Sequence, residues 1–167
     1  MFLTLRVLHI VTGVFWAGTV FFIVSFLLPA MGKIGPAAGP LGAEFQDRKV
    51  FVKLPIIGLV AIITGFWMYY LRMQGGGGWA ATREAMTLGG GGVVALLALI
   101  VGATMARPNQ DKVMTLGKEA GGMPPGPEKD AKLALAGVHR AKATMATRIV
   151  ATLLGITVIS MASARYL

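Results

Sequence analysis

Apolar residues fill this chain in four near-continuous blocks, at 3–29, 54–72, 89–106 and 147–164, separated by stretches rich in glycine, proline and charge. A bilayer hydrocarbon core about 30 Å thick needs about 20 apolar residues of α-helix to cross it. Helix is also the structure in which a single segment satisfies its own backbone groups in lipid. The pattern therefore predicts an all-α, polytopic membrane protein. Its four transmembrane helices, joined in sequence order, would form an antiparallel bundle.

Local signals set the expected ends. Pro29, Gly32, Gly35 and Pro36 predict a stop for the first helix. The second begins near Pro55, in a first turn where proline is tolerated, and leaves the membrane at Trp67, Tyr69, Tyr70 and Arg72. The third starts within the glycine run 89–92 and ends at Arg107 and Pro108; the fourth runs from Arg148 to Arg165. The segment 107–147 is too long for a bare connection. Its stretches 110–120 and 128–143 are rich in good helix formers and flank the breaker cluster of Gly121, Gly122, Pro124, Pro125, Gly126 and Pro127. A cytoplasmic helical hairpin extending spans three and four is the expectation, with Pro108 placed to kink it, all within one domain covering 1–167. It would offer either a docking surface for a partner or headgroups, or a solvated connector.

The chain is 55% hydrophobic and 14% charged, which agrees with a membrane protein. The apolar run 2–30 exceeds the roughly 7–15 residues of a signal h-region, and is read as a retained helix. A net charge of +9 would point to nucleic acid in a soluble protein. Here the cations sort by loop instead. Lys33, Arg48, Lys49, Lys53, Arg107, Lys112, Lys118, Lys129, Lys132, Arg140, Lys142 and Arg148 flank one side; only Arg6, Arg72, Arg83 and Arg165 flank the other. The positive-inside rule then predicts loops 30–53 and 107–147 in the cytoplasm and both termini outside. The expected partners are the lipid bilayer and other membrane subunits or further copies of the chain, not nucleic acid.

The absence of cysteine leaves histidine, methionine, carboxylate or backbone groups for any metal chemistry. No carboxylate lies within the four spans, which argues against an Asp/Glu proton relay and an ion pump. Of the two histidines, His139 lies among cytoplasmic cations, while His9 lies within span one, where an ionisable residue is a functional candidate. At a rise of about 1.5 Å per residue, most of the bilayer separates them, so they cannot clamp one haem within a chain. Leu5, Arg6, Thr12, Gly13 and Trp16 share the face of His9. Met68, Gly91 and Met161 fall at similar depth on the other spans. These residues, His9, Trp16, Met68, Gly91 and Met161, form the candidate cofactor site, with His9 as metal ligand for a haem b or a Cu(I) ion. The structural alternative is that His9 donates to a neighbouring carbonyl or to Ser160, while the methionines and the glycine run 89–92 only pack. The glycine run 75–78 lacks a phosphate-loop pattern and reads as a flexible outer turn.

The stretch Leu5-Arg6-Val7-Leu8-His9-Ile10, followed by Trp16 and Gly18, resembles the first helix of the copper-resistance protein D-like membrane superfamily, which includes the bacterial membrane protoporphyrinogen oxidase. Ile62-Ile63-Thr64-Gly65-Phe66-Trp67-Met68 is similar to its second helix, and Ala164-Arg165-Tyr166-Leu167 to the end of some uncharacterised members. The resemblance implies a bacterial-type inner membrane and an axial haem-ligand role for His9. The oxidase branch has a Trp-Leu-His-x-Lys pattern at helix three where this chain has Thr87-Leu88-Gly89-Gly90-Gly91, so the residues of that reaction are missing. A small haem or redox-associated membrane protein is the leading expectation. A structural accessory subunit of a respiratory or photosynthetic complex, without chemistry of its own, is the alternative, and copper handling a third.

Overall fold

The computed structural model describes residues 1–167, with every side chain but that of Pro36. Among these residues the regular structure is helical throughout. Four helices are long and apolar enough to cross a membrane: α1 (Phe2–Ile34), α3 (Val50–Gln74), α4 (Arg83–Gly121) and α5 (Pro127–Tyr166). A short helix α2 (Gly39–Asp47) lies between the first two. The long helices form a bundle in which α1 packs on α3, α3 on α4, α4 on α5 and α5 back on α1.

The first helix does not stop at Pro29 as its sequence predicts; it continues to Ile34. A proline inside a helix lacks an N–H and pushes its ring against the carbonyl four residues back. Here Ile23–Leu27 winds as a π-turn just ahead of Pro29, and this wider turn takes up the misfit. The same device recurs in α4, where Gly102–Ala106 is a π-turn ahead of Pro108. Pro55 also sits deeper than expected: α3 starts at Val50, which places this proline inside the helix rather than in its first turn.

Beyond the apolar blocks, α4 and α5 continue against each other as a helical hairpin closed by the breaker cluster. Lys132 pairs with Glu119, and the Nδ1–H of His139 donates to Asn109 Oδ1 at 2.8 Å. Asn109 Nδ2 in turn donates to the Met105 carbonyl at 2.7 Å. Burial pushes His139 below its ordinary pKa, and Lys112 and Lys142 act in the same direction. A neutral imidazole has the one N–H this hydrogen bond requires.

At the α3–α4 turn, Gly76, Gly77 and Gly78 all have φ near +73°, a region that side chains with a Cβ seldom enter. The turn is fastened by Glu84, which accepts from Arg72 Nη1 at 2.7 Å and from the Trp79 indole N–H at 3.0 Å. Those two donors, Trp79 first, hold its carboxyl below the usual range. Thr82 caps α4 by accepting from the Ala85 N–H at 3.2 Å.

The core is built of small residues with a few large ones set between them. Ala95, Ala98, Ala143, Ala146, Val150 and Leu154 are buried in α4 and α5, with Trp16, Ala17 and Val20 from α1 and Ile62 from α3. This composition follows from the solvent. Lipid tails are as apolar as a leucine, so helices associate in a membrane through close packing, which small side chains permit.

Candidate functional site

His9 and Trp16 are seven residues apart, two turns along one face of α1, and Gly58 and Gly65 are seven apart on α3. The structure pairs them. A Cβ added at Gly65 would lie 2.8 Å from His9 Cε1 and 3.0 Å from Nδ1, and one at Gly58 would lie 2.7 Å from Trp16 Cδ2 and Cε2. Each ring therefore rests on a strip of bare α3 backbone that only glycine provides. Trp16 is 5% exposed and belongs to the core, while His9 is half-buried.

The imidazole is also oriented. His9 Nδ1 lies 2.7 Å from the carbonyl oxygen of Ala61. A carbonyl can only accept, so Nδ1 carries the proton, and in the neutral ring Nε2 keeps its lone pair. Thr64 Oγ1, at 2.7 Å from the Val60 carbonyl and 3.0 Å from that of Ala61, lines the same stretch of backbone. Of the alternatives left open by the sequence, His9 bonds to a backbone carbonyl of α3, not to Ser160.

The other site residues fall in two places. Gly91 faces α5: a Cβ there would lie 3.0 Å from Ser160 Cβ and 3.4 Å from Met161 Cε. Its carbonyl accepts from Thr157 Oγ1 at 3.3 Å. Gly89 and Gly92 serve α3 instead, Gly89 meeting Tyr69 and Gly92 meeting Phe66, while a Cβ at Gly90 would meet nothing within 4 Å. This run works as a packing strip against two helices. Met68 is half-buried on α3. His9 and Trp16 thus share the α1–α3 seam, whereas Gly91 and Met161 share the α4–α5 seam. Among the described residues, no three His, Asp or Glu side chains gather as metal ligands.

A cavity of about 480 Å³ lies toward the other end of the bundle. Of the five candidate residues, Trp16 lines it and His9, Met68, Gly91 and Met161 do not. Val20, Leu54 and Leu99 continue its apolar wall; Gly42 and Phe45 of α2 close one side; Arg107, Arg140 and Arg148 also line it. In the sequence these three cations orient the chain, and Arg107 and Arg148 also bound two spans, but none is marked as a site residue, and no helix is expected at α2. Their available signal was position: Arg107 and Arg148 stand at the ends of two apolar blocks that meet in space. No protein-family model, curated protein or solved structure matches the chain.

Proposed function

We propose that the chain is a multi-pass protein of a bacterial-type inner membrane that binds haem b through His9. One observation carries this reading: the Nδ1–H of His9 is tied to the Ala61 carbonyl. Histidines that bind metals nearly always donate the other ring N–H to such an acceptor, which fixes ring and tautomer and makes the free nitrogen more basic. The donor chemistry thus fits one axial imidazole through Nε2. It does not assemble a His/Met pair around Met161, whose methyl group meets Gly91 on the far seam. A bound haem would supply one-electron redox chemistry. The protein's part is to present Nε2, hold the ring on Gly65, and keep the surroundings apolar.

A second reading rests on the same seam. The bond to Ala61 and the two ring-on-glycine contacts also form a clasp between α1 and α3, as a structural accessory subunit without its own chemistry would need. An absorption spectrum in mild detergent, oxidised and then dithionite-reduced after expression with haem supplied, separates the two. A Soret band that disappears in His9→Ala is the expected result. A band that survives this substitution would remove His9 as ligand, and a featureless wild-type spectrum would favour the accessory subunit. Metal analysis of the same sample tests copper handling, the third reading.

The proposed topology is an antiparallel bundle with both termini outside. It is supported by pairs that run in opposite numerical order, His9 with Gly65 and Trp16 with Gly58, and by the excess of Lys and Arg in the first and third connections. With this orientation the α4–α5 hairpin is cytoplasmic. A cysteine at Gly77 should react with an impermeant thiol reagent added to intact cells, and one at Gly122 should react only after lysis; the opposite result would invert the chain.

A further inference from the structure

The helix irregularities of this bundle converge on one place. Ile23 and Leu27 from the first π-turn, Gly102 and Ala106 from the second, and the prolines Pro29 and Pro55 all line the 480 Å³ cavity. π-turns inside helices are rare and occur often at functional sites. Here they belong to α1 and α4 and line the same cavity. The space lies within the roughly 300–1,000 Å³ range of small-molecule sites.

Its chemistry is that of an amphiphile in reverse. Trp16 and Val20, 5% and 3% exposed, form a deep apolar end. Arg107, Arg140 and Arg148 line the same cavity and are exposed, which places them at its mouth. Among the described residues, neither Arg140 nor Arg148 has a carboxylate within ion-pair distance, and Arg107 has only Asp111, at 3.9 Å. Arg107, Arg140 and Arg148 give this cavity three positive charges with little carboxylate to balance them, which favours an anion. Guanidinium pairs well with phosphate because its planar fork donates two parallel hydrogen bonds.

We propose that this cavity binds an anionic phospholipid, with one acyl chain against Trp16 and Leu54 and the phosphate at Arg107, Arg140 and Arg148. A small soluble anion would leave the apolar end unused. A zwitterionic lipid brings its own cation to a mouth already rich in positive charge. The site is at headgroup depth, since Arg107 and Arg148 stand at the ends of apolar blocks, and anionic headgroups attract basic residues there. This inference is independent of any haem at His9, which does not line the cavity.

The test uses Trp16 as reporter. Trp67→Phe with Trp79→Phe leaves it the sole tryptophan of the three. The full chain is placed in phosphatidylcholine vesicles containing a minor fraction of chain-brominated phosphatidylglycerol or, in parallel, chain-brominated phosphatidylcholine. Bromine quenches indole at contact, so brominated phosphatidylglycerol should quench Trp16 several-fold more efficiently at equal mole fraction. Arg140→Gln with Arg148→Gln should remove most of that preference and bring the two lipids close to equal quenching, since one basic residue at headgroup depth contributes about fivefold. Arg83→Gln with Arg165→Gln, the same two-charge change at the opposite end of the bundle, should leave it intact. Equal quenching of the parent protein by the two lipids, a preference that survives the Arg140 and Arg148 substitutions, or one that falls as far in the Arg83 and Arg165 variant would each overturn the proposal.

Discussion

Replacing Gly58 with valine should destabilise the purified protein by about 3 kcal/mol, at the upper end of the cost of overpacking a fitted core. The new Cβ would stand 2.7 Å from two atoms of the Trp16 ring and 3.0 Å from a third, and the γ-methyls would reach further. The indole has little room to retreat, because Trp16 is packed in one cluster with Ala17, Val20, Ile62, Ala95, Ala98, Val150 and Leu154. Separating α1 from α3 is therefore the main way to relieve the clash. Since apolar transfer from lipid into a helix interface contributes little, shape fit carries much of the association, and its loss is poorly offset. Gly18→Ala is the control. A Cβ there meets nothing within 4 Å, and alanine is a better helix former than glycine by about 0.8–1.0 kcal/mol, so the variant should match or exceed wild type. Thermal unfolding followed by circular dichroism in mild detergent reads both. A Gly58→Val protein that melts with wild type would mean that Trp16 does not rest on α3.

The contrast between Gly58 and Gly18 also shows how far the sequence can be read. Four spans were legible because lipid demands long unbroken apolar runs, which the shorter, amphipathic helices of a soluble fold do not need. The helices on either side of the breakers at 121–127 were legible because those breakers separate two stretches of good helix formers. Pro29 misled, since a proline ends a helix unless the preceding turn widens, and nothing in Ile23-Val24-Ser25-Phe26-Leu27 announces a π-turn. Helix α2 was hidden because Gly39, Pro40 and Gly42 are poor helix formers; its contacts with Met31 and Met114 are tertiary. His9 stood out as an ionisable group in an apolar block, yet its partner could not. A backbone carbonyl has no signature in a sequence, and Ala61 is one alanine among many. The equal spacing of His9 with Trp16 and of Gly65 with Gly58 was present in the sequence, but it gains meaning only once α1 and α3 are known to touch. The cavity was least legible, because its walls come from all five helices and its cations also satisfy a topology rule.

Gly65→Ala and His9→Ala should each destabilise the protein alone and compensate in combination. In the first variant the added methyl would lie 2.8 Å from His9 Cε1 and 3.0 Å from Nδ1, so the ring must turn away and give up its 2.7 Å bond to the Ala61 carbonyl. The cost combines overpacking, about 1–3 kcal/mol, with a membrane hydrogen bond that averages about 0.6 kcal/mol. His9→Ala loses the same bond and leaves a gap on Gly65, although Thr64 still reaches the Ala61 carbonyl at 3.0 Å. In the double variant the methyl occupies space the ring has vacated, and α3 gains a better helix former. Coupling of about 1–2 kcal/mol is expected from unfolding midpoints of all four proteins, whereas additivity within about 0.5 kcal/mol would show that ring and glycine do not touch. The single Gly65→Ala variant then separates the two readings of His9. If Nε2 is an axial ligand, turning the ring shifts the reduced α and β bands as stability falls. If the ring is only a clasp, stability falls and no spectral change accompanies it.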